Sequence, residues 1–117
     1  ADAMNGAVIF MWEGVEPGRE AAAQQLMQEA SAFYDAAKAD GRITDYAWYS
    51  SSQLGMNQLV VRGELPDLMT LESTPEAAML NMKAMTINQQ FRWGYFATGQ
   101  LTEQMVGRWV EFAETLQ

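Results

Sequence analysis

The side chains that could do chemistry in this sequence are defined first by two absences: there is no histidine and no cysteine among 117 residues. That removes Ser–His and Cys–His nucleophiles, disulfides, and imidazole or thiolate ligands for zinc or haem. Acid–base work is left to carboxylates. Glu13, Glu16 and Glu20, or Glu111 and Glu114, are spaced closely enough to pair. None sits in a context that reads as buried, and glutamates on helix faces are usually solvated, so no catalytic residue is assigned. No glycine-rich phosphate loop or calcium-loop spacing occurs, and no metal or cofactor is expected.

The aromatic residues are the stronger signal. Trp12, Tyr49, Trp93 and Tyr95, with Phe10, are read as facing the helices, where they would wall a pocket for a flat organic molecule. The plainer alternative is that they fill the core, which is what most large aromatics do. Ile9, Met11, Tyr46, Trp48, Arg62 and Arg92 are read as the opposite face and as candidate dimer contacts, since aromatic and Arg residues are enriched at interfaces. A mid-strand Arg62 needs a partner: Glu13, Glu64 or a ligand anion, with a structural pair preferred. The register of the second and fourth strands is open, so members of the two sets can exchange. Met79, Met82 and Met85 are read as filling gaps in the core.

These side chains must be positioned by regular elements. Ala7–Glu13 reads as a strand with both faces apolar, which asks for cover on both sides. A helix opens within Val15–Glu20 and ends at Asp40-Gly41, with Leu26, Ala30, Phe33 and Ala37 at helical spacing. Ile43–Ser50 and Asn57–Glu64 read as strands of an antiparallel hairpin. Pro66 breaks the second of them, and a short helical turn follows over Asp67–Glu72. Ser73 and Glu76 fit a capping box ahead of a helix with Ala78, Met82 and Met85 as its apolar stripe. Alternation through Phe91, Trp93, Tyr95 and Ala97 marks a fourth strand, Gln90–Thr98. A last helix is expected from Thr102, with Leu101 stapled onto Val106 and Met105, Trp109, Phe112 and Leu116 on one face.

Composition limits the rest. Residues 1–117 read as one domain, and 49% hydrophobic content with 19% charged residues excludes wholesale disorder. A net charge of -8 argues against nucleic acid and anionic membrane surfaces. No run reaches the roughly 20 apolar residues that a membrane-spanning helix needs. The apolar run Ala7–Trp12 lacks the basic flank of a signal peptide. A cysteine-free chain suits the reducing cytoplasm.

The order strand, helix, strand, strand, helix, strand is the split βαβ pattern of a ferredoxin-like α+β fold: an antiparallel sheet with its helices on one face, here with an added C-terminal helix. The bare face then calls for a second copy, giving a two-fold homodimer. With Gly6–Trp12, Glu16-Pro17-Gly18-Arg19, Gly41-Arg42-Ile43, Asn57–Glu64 and Ser73–Glu76 in these places, the chain resembles the dimeric α+β barrel superfamily over nearly its whole length. That resemblance implies face-to-face sheets. It implies one of several roles: cofactor-independent antibiotic-biosynthesis monooxygenases, haem-degrading enzymes, EthD-like and YCII-like proteins. The haem-degrading and YCII-like branches use histidine, so their chemistry is closed to this chain. Two readings remain: a cofactor-independent monooxygenase-like enzyme on a small aromatic substrate, or a non-enzymatic dimer that binds a small molecule or a protein. RNA-recognition domains share the element order, but Asn57–Glu64 carries none of their stacking aromatics.

Overall fold

The computed structural model describes residues 4–51, 55–102 and 105, and the backbone of 110–111. The elements run β1 (Asn5–Val15), α1 (Glu20–Ala39), β2 (Asp45–Ser51), β3 (Met56–Glu64), α2 (Leu65–Glu72), α3 (Pro75–Ile87), β4 (Asn88–Ala97), a 3-10 turn (Thr98–Gln100) and β5 (Val110–Glu111). The sheet order is β4-β1-β3-β2-β5, and every described pairing is antiparallel. Its first four strands have the expected ferredoxin-like arrangement, with the apolar β1 at the centre.

Strand parity separates two faces. Val8, Phe10 and Trp12 pair with Val61, Leu59 and Asn57 on β3 and with Tyr95, Trp93 and Phe91 on β4. Together with residues of α1, α2 and α3, the apolar members of these rows form the main core. On the other face Ala7, Ile9 and Val60 make a smaller cluster, against which Met11, Tyr49, Phe96, Leu101 and Met105 pack. Strand β1 meets β4 closely: a Cβ on Gly6 would collide with the carbonyl oxygen of Phe96. Gly41, at φ 76°, ends α1 in the left-handed conformation its sequence position called for.

Several local expectations are corrected. Helix α1 starts only at Glu20, because Glu16–Arg19 forms a turn closed by the Arg19 amide on the Glu16 carbonyl at 2.9 Å. Its buried stripe is Ala23, Leu26, Met27, Ala30, Tyr34 and Ala37, so Tyr34 rather than Phe33 is the fully buried aromatic. The cap of α3 is Thr74, whose Oγ1 accepts the Ala77 amide at 3.3 Å, and not Ser73. Pro75 at the helix start puts the cap one residue before it, while the Ser73 hydroxyl donates back to the Met69 carbonyl at 2.8 Å.

The core side of α3 is Ala77, Leu80, Ala84 and Ile87, a true helical stripe of small and branched residues. Met79, Met82 and Met85 are exposed by 59%, 66% and 63%, so they do not fill core gaps. Val110–Glu111 is a strand, antiparallel to β2, where a C-terminal helix was expected. The open edge of β2 offers backbone donors and acceptors, and that pairing overrides the local helical periodicity. The remaining positions of that helix, including Val106, Trp109, Phe112 and Leu116, lie outside the described residues.

Candidate functional site

On the helix-facing side, β1 and β4 bring Phe10, Trp12, Trp93 and Tyr95 together, as their alternation required. The ring centroids of Phe10 and Trp93 are 5.8 Å apart in a stacked pair, and Trp93 and Tyr95 meet edge-on at 5.4 Å. Trp93 is 43% exposed because α3 leaves the outer strand β4 partly uncovered. Tyr49 does not join them. Its cross-strand partner is Gln58, which places it on the opposite face, whereas Tyr46 and Trp48 pair with Val61 and Leu59 and face the helices. A one-residue difference in the register of β2 exchanges the two sets, which is why this strand was not fixed by its own pattern.

Tyr46 and Trp48 are therefore not on the open face. Trp48 is fully buried, stacks edge-on with Trp12 at 5.2 Å and donates its indole N–H to Ser31 Oγ at 2.8 Å. The Tyr46 hydroxyl donates to Asp35 at 2.6 Å; burial and that carboxylate push its pKa up to about 12. Ile9, Met11, Arg62 and Arg92 do share the open face. Arg92 lies 3.9 Å from Glu13, the carboxylate proposed for Arg62, whose own neighbour is Asp45 across the ladder. Part of that face is already occupied by the chain itself. Leu101 and Met105 pack on it, and Gln58 Nε2 donates to the Met105 carbonyl at 2.5 Å. Beside them a concavity of about 250 Å³ opens between Ile9, Met11, Arg92, Gly94 and Phe96.

The group with the most unusual surroundings was not found from the sequence. Glu72, the last residue of α2, is 8% exposed. The buried Tyr34 on α1 donates its phenolic proton to Glu72 Oε2 at 2.5 Å, and Oε1 has no partner among the described residues. Burial pushes the Glu72 pKa up to about 7, a rise that the Tyr34 hydrogen bond only partly offsets. Burial, then the charge of Glu72, holds the Tyr34 phenol well above its ordinary value. The same two causes raise Tyr95, so both phenols stay protonated at neutral pH. Glu72 was hidden because it follows Leu71 in what reads as the end of a short helix. Tyr34 could have been found by continuing the spacing Leu26, Ala30 for one more turn.

Chemically, this is a carboxyl group that can hold or accept a proton near pH 7, with two phenol donors nearby and a stacked aromatic wall behind them. The crevice between sheet and helices, bounded by Phe10, Trp12, Tyr34, Leu59, Leu80 and Asn81, encloses about 10 Å³, room for roughly one water. Among the described residues no group of three or more carboxylates could hold a metal ion. No described helix is long and apolar enough to cross a membrane.

No family model matches the chain, and no curated protein does. Solved structures match its fold. Rv0793 from Mycobacterium tuberculosis superposes with a TM-score of 0.66 at 18% identity, over 80% of this chain and 93% of that one. A putative antibiotic biosynthesis monooxygenase from Caulobacter crescentus gives 0.63 at 13% identity, over 82% and 91%. A dimeric ferredoxin-like protein of unknown function from Thermobifida fusca gives 0.62 at 10% identity, over 80% and 91%. The fold is thus the ferredoxin-like one found in these small proteins.

Proposed function

We propose that this chain binds a small aromatic molecule between its sheet and helices and acts on it as a cofactor-independent monooxygenase-like enzyme, with Glu72 as the proton acceptor. The observation that carries this reading is the buried, half-satisfied Glu72 carboxyl held by Tyr34, whose ring lies 6.3 Å from that of Phe10 in the Phe10–Trp93–Tyr95 row. An enolisable ring CH₂ gives up a proton to Glu72, and the resulting carbanion or enolate reacts with dioxygen. Loss of water from the hydroperoxide leaves a carbonyl, so CH₂ and O₂ become C=O and H₂O. The protein's part is to orient the ring, exclude water and take the proton. The name of the Caulobacter crescentus neighbour supports the same chemistry.

A second reading is a non-enzymatic small-molecule-binding dimer. The crevice of about 10 Å³ counts against turnover there, because it has no room for a fused ring as it stands, and a ligand bound elsewhere on the surface needs none. Oxygen uptake with anthrones and naphthols separates the two. Uptake of one O₂ per substrate that is lost in Glu72→Gln supports the enzyme. Binding of the same compounds by native mass spectrometry without uptake supports the second reading.

In either reading the working unit is a cytoplasmic homodimer joined through the open sheet faces. The part-exposed, apolar Met11 and Phe96 support this, as does the dimeric state named for the Thermobifida fusca neighbour. Sedimentation equilibrium tests it, and a monomer at micromolar concentration would refute it.

A further inference from the structure

A groove of about 520 Å³, far larger than the aromatic crevice, lies on the outer surface between α1 and α3. Ala32 and Phe33 line it from α1, and Leu80 lines it from α3. Leu80 also lines the inner crevice together with Phe10, Trp12 and Tyr34. One half-buried side chain therefore stands between a groove of ligand size and an aromatic crevice of water size. The two helix residues behind the partition are consecutive: Phe33 faces the groove, Tyr34 faces the crevice, and their rings meet edge-on at 5.0 Å.

We infer that the α1–α3 groove is the outer binding site for the aromatic ligand, and that Leu80 is the specificity residue that sets how far its ring reaches toward Tyr34. The inference rests on the small-molecule reading of the inner site. The charge at the rim selects the class of ligand. Lys83 is engaged by Glu29 at 2.9 Å, which leaves the Glu76 carboxylate in the lining without an ion pair among the described residues, and the chain as a whole carries -8. A neutral or cationic fused-ring aromatic is accepted, and an anionic one is repelled. Rotation of the Leu80 side chain needs no break in the helix. Helix α3 buries only Ala77, Ala84 and Ile87 fully, so its grip on the sheet at this point is light.

The test uses two fluorescent probes that share one skeleton, N-phenyl-1-naphthylamine and its sulfonated relative 8-anilinonaphthalene-1-sulfonate, with the full chain. The neutral probe is expected to bind with enhanced, blue-shifted emission, and the sulfonate at least tenfold more weakly. Ala32→Trp fills the groove from an exposed position and should weaken the neutral probe at least tenfold. Leu80→Ala joins groove and crevice and should tighten binding threefold or more, with stronger quenching of tryptophan emission. Equal affinity for both probes, or a neutral probe indifferent to both substitutions, would overturn the inference. So would a larger loss from Met11→Trp, at the concavity on the open face, than from Ala32→Trp. These binding outcomes are independent of oxygen uptake. An inactive protein that shows the expected probe pattern refutes the monooxygenase reading and keeps this site. An active protein without the pattern does the reverse.

Discussion

Tyr34 and Glu72 stand 38 residues apart in the chain and 2.5 Å apart in space, phenol to carboxylate, inside the layer where α1 and α2 cover the sheet. A carboxyl group so placed is ionised only against the cost of leaving water, and its second oxygen recovers none of that cost through a described partner.

The pH dependence of stability follows from that placement. The folded pKa of Glu72, about 7, lies above the ordinary 4.5, so the folded state holds its proton more tightly than the unfolded state does. Stability from this group is fully present below pH 4.5 and declines as pH rises toward 7, by up to about 3 kcal/mol. Glu72→Gln, which stays neutral and can still accept from Tyr34, removes the decline. The difference between wild-type and Glu72→Gln unfolding free energies from urea titrations is expected to grow between pH 4.5 and 7 and then level off. A difference constant across that range would show that Glu72 titrates normally.

Tyr34→Phe takes away the hydrogen bond that the Glu72 side chain receives from the described residues. Because that bond lowers the Glu72 pKa, its loss should move the titration to higher pH, visible in the carboxyl carbon resonance of Glu72. A stability loss of about 1–3 kcal/mol at neutral pH should accompany it.

Gly6→Ala tests the close approach of β1 and β4. The added methyl would meet the Phe96 carbonyl, which is backbone and cannot swing aside. A loss of about 1–3 kcal/mol is expected in urea unfolding, with protection of β4 amides from hydrogen exchange reduced more than that of β3 amides.

The tryptophans should divide sharply. Trp48→Ala empties a fully buried site and strands Ser31 Oγ, for about 3–5 kcal/mol. Trp93→Ala, at a position 43% exposed, should cost well under half as much. Chemical denaturation of both variants checks this, and similar losses would mean that β4 is covered in solution.

Much of the fold was legible because β1 and β3 carry apolar residues on fixed parity and Gly41 could only end a helix. The alternation Phe91, Trp93, Tyr95 likewise marked β4 as a strand with one aromatic face, although its register against Phe10 and Trp12 was left open. The strand β2 was not legible: Tyr46, Trp48 and Tyr49 are all aromatic, so hydrophobicity alone could not say which of them face inward. The exposed Met82 and Met85 were misread for a related reason, since an apolar type is not proof of burial. The candidate site was half legible. Its aromatic wall sits at the alternating positions, but Glu72 acquires its character from burial under elements distant in the sequence, α1 with Tyr34 among them.

The position of β1 also has a consequence for the order in which the protein can be built. This strand precedes both of its partners in the sequence, is apolar on both faces, and pairs with β3 on one side and β4 on the other. During synthesis its second edge stays unmatched until Asn88–Ala97 has emerged from the ribosome, well after β3 can pair with the first. In that interval the segment Ala7–Trp12 is the part of the nascent chain most in need of a chaperone.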